Sequence, residues 1–189
     1  MKALIVTASR YGSTEQIGRW IAERLRYEGF EVDLVKAEGG SVSLDDYEVI
    51  IMGSGIYSHS VLPELKRFIE ENINVLRGKK TVLFGVAMKT EPVFYKGKIH
   101  GGLEHLLPLI KMLKGSVIHA GMLHGEMVPC KMTEKDRESL MRFYKMLNLP
   151  EDEIQRRLKP RTLMDKREVW EFTEIVIKKL EELRNADTR

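Results

Sequence analysis

The chain has 189 residues, 43% hydrophobic and 31% charged, which is enough apolar material for one domain with a substantial core. No run approaches the roughly 20 apolar residues that cross a bilayer, and the opening Met1–Ser9 stretch lacks the pattern of a secretory signal. The net charge of +3 comes from 31 basic and 28 acidic residues mixed along the chain, which argues against nucleic acid as a partner; the single cysteine, Cys130, excludes an intrachain disulfide and suits a reducing, cytoplasmic setting.

Leu4-Ile5-Val6 predicts a buried strand. Ile17, Trp20, Ile21 and Leu25 then recur at helical spacing, and Gly29 stops that helix. Phe30, Val32 and Leu34 alternate with polar residues, as in a strand at a sheet edge. Val49–Met52 is a second buried strand, with Gly53-Ser54-Gly55 read as a flexible exit. Pro63 suits the first position of a helix whose stripe is Leu65, Phe68, Ile69, Ile73 and Leu76. Thr81–Met88 predicts a third buried strand, Leu103, Leu106, Leu107 and Ile110 a helix, and Val117–Leu123 a fifth strand. The last helix spans about Lys166–Leu183, with Val169, Phe172, Val176, Leu180 and Leu183 on one face.

Strands alternating with helices imply an α/β doubly wound parallel sheet with helices on both faces, because parallel neighbours require right-handed crossovers. About 40 residues, His124–Met164, separate the fifth strand from the last helix. That is far beyond the usual connection of about 2–6 residues. The stretch therefore reads as an insertion within a single domain spanning residues 1–189, with helices near Glu134–Leu147 and Glu151–Leu158.

The chemistry concentrates in Thr7-Ala8-Ser9-Arg10-Tyr11-Gly12-Ser13-Thr14, between the first strand and the first helix. Parallel sheets place ligands at the carboxyl ends of their strands, and a helix N-terminus offers unpaired N–H groups with a partial positive charge. Ser9, Ser13 and Thr14 add hydroxyl donors, and Gly12 lets the backbone turn inward. The patterns G-x-G-x-x-G and G-x-x-x-x-G-K-[ST] are absent, so a terminal monoester phosphate fits better than a pyrophosphate. A simpler alternative is that Ser13 and Gln16 merely cap the helix.

S-R-Y-G-S-T resembles the flavodoxin phosphate loop, commonly T-x-T-G-x-T, with Tyr11 where a small residue is usual. Arg10 brings the loop nearer to the flavodoxin-like quinone-dependent protoporphyrinogen IX dehydrogenases, whose loop reads roughly S-T-R-D-G-x-T. The segment G-S-G-I-Y-S-H-S is similar to that family's G-A-S-I-R-Y-G-H, and Ala120-Gly121-Met122-Leu123 to its A-G-A-L. The resemblance implies a five-stranded sheet in the order 2-1-3-4-5 and FMN as cofactor. Its phosphate would lie on Ser9, Arg10, Tyr11, Gly12, Ser13 and Thr14. The ring would lie over Ser54, Gly55, Ile56 and Tyr57 on one side and Ala87, Met88 and Lys89 on the other.

Tyr57 suits stacking on a flavin as well as it suits a surface loop tyrosine. His59 and Lys89 face the same choice between the ring and solvent, and no catalytic residue or metal site is assigned. Phe94-Tyr95-Lys96-Gly97-Lys98 is an aromatic-basic patch too short to argue nucleic-acid binding. Six of the ten methionines fall at or after Met122, and Arg156, Arg157, Lys159 and Arg161 sit near the end of the insertion. Such residues suit a greasy carboxylated ligand, or equally a packed helix with a solvated end. The resemblance therefore implies an FMN-dependent oxidoreductase of haem biosynthesis with a quinone acceptor. The alternative is an electron-carrying flavodoxin without its own substrate. The partner is then a small redox molecule or a redox protein; quinone, peripheral membrane contact and a homodimer stay open.

Overall fold

The computed structural model describes residues 1–39, 42–95 and 97–187. The first apolar run forms β1 (Lys2–Ala8), and the stripe behind it α1 (Ser13–Tyr27). There follow β2 (Glu31–Lys36), β3 (Val49–Tyr57), the short β4 (Ser60–Val61), α2 (Pro63–Glu71) and α3 (Ile73–Leu76). Next come β5 (Lys80–Ala87), a hairpin of β6 (Pro92–Tyr95) and β7 (Lys98–Gly101), a 3₁₀ turn at Gly102–His105, α4 (Leu107–Leu113) and β8 (Val117–His124). The rest comprises β9 (Glu126–Met127), a 3₁₀ turn at Pro129–Lys131, α5 (Glu134–Met146), α6 (Glu151–Arg157), β10 (Arg161–Thr162) and α7 (Lys166–Asp187).

Five parallel strands pair in the order β2-β1-β3-β5-β8, with β4 folded back on the end of β3. Counting only those five, this is the expected order 2-1-3-4-5. Successive side chains of a strand point to opposite faces, so each strand divides its apolar residues between two layers. Ala3, Ile5, Val49, Ile51, Val82, Phe84 and Val86 pack with Ile17, Ile21 and Leu25 of α1 and Val169, Phe172, Val176 and Leu180 of α7. Leu4, Val6, Ile50, Met52 and Leu83 face the other way, onto Leu65, Phe68 and Ile69 of α2, Leu76 of α3 and Leu109 and Leu113 of α4. Full burial of such side chains stabilises by about 1.5–3 kcal/mol each. The insertion has its own small core of Tyr144, Ile154 and Leu158.

Several expectations change in detail. Gly53-Ser54-Gly55 is no flexible exit: all three lie buried inside β3, which runs on to Tyr57. The 63–76 helix breaks at Asn72, whose side chain donates to the Phe68 carbonyl at 2.9 Å. Leu103 lies in a 3₁₀ turn with 47% of its surface exposed, and Leu183 projects from the core face of α7 at 37%. The patch at 94–98 falls on the β6–β7 hairpin, where Phe94 is exposed; its Lys96 lies outside the described residues.

Candidate functional site

Gly12 stands at the N-cap of α1 with φ 98°, a left-handed conformation that a Cβ would strain. No side chain caps this helix. The Ser13 hydroxyl donates to Glu126 Oε1 at 3.2 Å, and Gln16 Oε1 accepts from Arg19 at 3.3 Å, so the two candidate capping groups are turned elsewhere. That removes the simpler reading of the loop. Ser9 Oγ accepts from the Gly12 N–H at 3.0 Å and keeps its own hydrogen to donate. Thr14 is buried, and Glu15 is held by Lys36 at 2.9 Å. The helix thus begins with backbone donors that its own side chains leave for something else.

Arg10 and Tyr11 fold towards the hairpin of β3 and β4. The Arg10 guanidinium lies 4.8 Å from the centre of the Tyr57 ring, and Tyr11 meets that ring edge-on with centroids 5.9 Å apart. Both side chains also reach α5: Arg10 Nη1 donates to Asp136 Oδ1 at 2.7 Å, and the Tyr11 hydroxyl to Asp136 Oδ2 at 2.5 Å. The Thr133 N–H donates to the Tyr11 oxygen at 3.3 Å. Burial, followed by the nearby Tyr11, pushes the Tyr57 phenol up to about 12. Burial also raises Tyr11, aided by its bond to Asp136. Partial burial works to raise the Asp136 carboxyl, yet the hydrogen bonds from Tyr11, Arg10 and Thr133 hold it below its usual range.

The remaining site candidates divide by what they touch. Ser54 is buried; its hydroxyl accepts from the Leu62 N–H and donates to the Gly55 carbonyl, both at 2.8 Å, bracing the hairpin. A Cβ on Gly55 would stand 2.7 Å from the Tyr57 ring, so that position gives the ring room. Ile56 pairs with Val61, and the turn beyond holds Ser58 and His59 at φ 49° and 64°. On the other side, the Ala87 carbonyl accepts from the Gly125 N–H at 2.9 Å, Met88 is half-buried and Lys89 exposed. A pocket of about 280 Å³ opens beside the first loop, lined by Ser9, Arg10, Tyr11, Leu62, Glu64 and Thr133.

Sequence reasoning missed the acidic partners Asp136 and Glu126, which come from the insertion. It also gave no role to His124, whose Nδ1 lies 2.8 Å from Glu168 and whose Nε2 lies 3.2 Å from Thr90 Oγ1. These pairs are far apart in sequence, and no local spacing could reveal them. No described helix is long and apolar enough to cross a membrane.

The profile of the flavodoxin domain family matches residues 4–107, over half of the chain, and takes in the first loop, the β3–β4 hairpin and the exit of β5. The chain belongs to the flavodoxin domain family. The probable flavodoxin 1 of Bacillus subtilis (strain 168) is 29% identical over 145 residues, covering 75% of this chain and 87% of the relative. Oxidised flavodoxin 1 from Bacillus cereus superposes with a TM-score of 0.52 at 20% identity, over 79% of this chain and 100% of its own. Rubredoxin oxygen:oxidoreductase from Desulfovibrio gigas gives 0.53 at 19% identity over 95% of this chain, which spans only 37% of that protein. None of these three is named as a protoporphyrinogen dehydrogenase, and the insertion lies beyond the family match.

Proposed function

We propose that the chain binds FMN and works as a flavodoxin-type electron-transfer protein. The observation that carries this reading is the uncapped start of α1 behind Gly12, at the carboxyl end of β1 in a doubly wound sheet. The donor set fits a dianionic phosphate: backbone N–H groups between residues 10 and 14, the Ser9 and Thr14 hydroxyls, and the guanidinium N–H groups of Arg10 beyond the one on Asp136. Tyr57 offers a flat face to the ring on one side, and the backbone of Ala87, Met88 and Lys89 polar groups on the other. Bound FMN supplies the redox chemistry, accepting and releasing electrons. The protein holds the phosphate, orients the ring and keeps part of it from water. Kinship with a probable flavodoxin and likeness to flavodoxin structures support the carrier role.

A second reading is oxidation of protoporphyrinogen with a quinone acceptor. It is favoured by an open groove of about 690 Å³ along α5, where Met132 and Met141 adjoin Arg137, Arg142 and Lys145, interleaved with Glu134 and Glu138. Methionines accept a greasy macrocycle, and arginines pair with its carboxylates. One experiment separates the two. The FMN-loaded chain is offered either a reduced redox protein or protoporphyrinogen under anaerobic conditions, and bleaching of the visible flavin band is followed. Rapid bleaching by the redox protein alone supports the carrier, and bleaching by protoporphyrinogen with quinone reoxidation supports the oxidase. A colourless protein that ignores added FMN refutes both.

A further inference from the structure

Between β8 and α7 the chain leaves the sheet and returns to it through one narrow neck. β9 and β10 pair antiparallel, Met127 with Arg161 and Glu126 with Thr162, and the Leu163 N–H donates to the Gly125 carbonyl at 3.0 Å. The Ser13 hydroxyl on Glu126 pins that neck beside the start of α1. Beyond the neck, residues 128–160 gather around Tyr144, Ile154 and Leu158, a core separate from the two layers that flank the sheet. They reach back to the sheet through α5 and its cap. Thr133 Oγ1 accepts from the Asp136 N–H at 3.2 Å, while the Thr133 N–H donates to the Tyr11 oxygen at 3.3 Å. Asp136 takes Arg10 on one carboxylate oxygen at 2.7 Å and Tyr11 on the other at 2.5 Å. Further along α5, Phe143 meets His59 edge-on with centroids 5.2 Å apart.

Arg10, Tyr11 and Thr133 all line the pocket beside the first loop. At about 280 Å³ that pocket falls just short of the roughly 300–1,000 Å³ of ligand sites. The Arg10 guanidinium, held on Asp136, also stands 4.8 Å from the centre of the Tyr57 ring. A ligand the size of a cofactor therefore enters only when this wall moves. The bonds that hold the wall are polar, and the Arg10 and Asp136 side chains are 42% and 20% exposed, so water replaces each bond as it opens. Arg10 keeps N–H groups beyond the one on Asp136, which lets the same contact close again over a bound phosphate.

We propose that residues 128–160 are a lid on the cofactor pocket, hinged at the β9–β10 neck and latched by Asp136 on Arg10 and Tyr11. The inference rests on the FMN-binding reading and adds to it how the cofactor enters and why it stays. Lifting α5 breaks the bonds of Asp136 to Arg10 and Tyr11 and widens the pocket on its Thr133 side, while the separate core of the lid stays intact. The same bonds break on the way in and on the way out. The latch therefore slows loading and release alike and cancels from the affinity.

Stopped-flow quenching of flavin fluorescence gives the loading rate, and its recovery on dilution of the loaded chain gives the release rate. Asp136→Ala should raise both rates about tenfold or more, the worth of one hydrogen bond to a charged group, with the affinity held within about threefold. Asp136→Asn, which keeps one acceptor oxygen, should fall between it and the wild type, and it carries the test if Asp136→Ala does not fold. Riboflavin, which lacks the phosphate, should load and leave faster by the same factor; acceleration confined to FMN is relief of charge repulsion and overturns the lid. Faster release alone, with affinity lost, makes Asp136 a support for the first loop and also overturns it, as does faster loading alone. Wild-type rates in a folded Asp136→Ala that binds FMN overturn the lid and leave the FMN reading standing. Failure of the wild type to bind FMN overturns both.

Discussion

Replacing Gly53 with alanine tests how the sheet beneath the site is built. A Cβ at that position would lie 1.9 Å from Phe84 Cζ and 2.3 Å from its Cε1. Gly53 and Phe84 are neighbours in the β3–β5 register, and the Phe84 ring is fully buried with its centroid 6.3 Å from that of Phe172. The ring must therefore push into a packed layer, and overpacking of this kind costs about 1–3 kcal/mol. Relief of the conformational cost of a strand glycine offsets roughly 0.5–1 kcal/mol. The 1.9 Å approach to a fully buried ring puts the cost in the upper part of that range, about 2–3 kcal/mol, so a net loss of about 1–2.5 kcal/mol remains, which for a chain of this size lowers Tm by roughly 2–10 °C. Thermal melts followed by far-UV circular dichroism measure it. In a Phe84→Leu background the obstruction is gone, and Gly53→Ala should become neutral or stabilising. An unchanged or higher Tm for Gly53→Ala alone refutes the reasoning.

Ser54→Ala leaves the buried Leu62 N–H without its acceptor, a loss of about 1–3 kcal/mol that the same melts should detect. Asp136 is depressed in the folded state, so its contribution is present above its unfolded pKa and is lost as pH falls through the lowered folded value. The contact between α5 and the first loop should accordingly persist at mild acidity and release only below pH 3.8, as read from tyrosine signals in an acid titration. In Asp136→Asn that acid transition should vanish, and its survival assigns it to another group. Thr14→Val should keep the fold and weaken FMN retention about tenfold or more, the worth of one hydrogen bond to a charged group. Equal retention by equilibrium dialysis counts against the placement of the phosphate.

The central strands were legible because they are buried on both faces and read as unbroken apolar runs, as in Val49–Met52 and Thr81–Val86. The helical stripes of α1 and α7 were legible for the complementary reason, and the first loop stood out as a hydroxyl-rich junction between strand and helix. What escaped depended on distant partners. Gly53 looks like a flexible residue until Phe84 is seen lying over it. Arg10 and Asp136 are 126 residues apart, and His124 and Glu168 are separated by 44. The break at Asn72 has no proline or glycine to announce it, and the β6–β7 hairpin is built from strands too short to show a period.

On the FMN-binding reading proposed above, the start of α1 grips the phosphate. Titrating the purified chain with FMN and with riboflavin, the same ring system without the phosphate, isolates that grip through quenching of flavin fluorescence. Two or more charge-assisted hydrogen bonds at about 1.5–3 kcal/mol each should favour FMN by roughly 100-fold or more. Equal affinity for the two flavins contradicts the account.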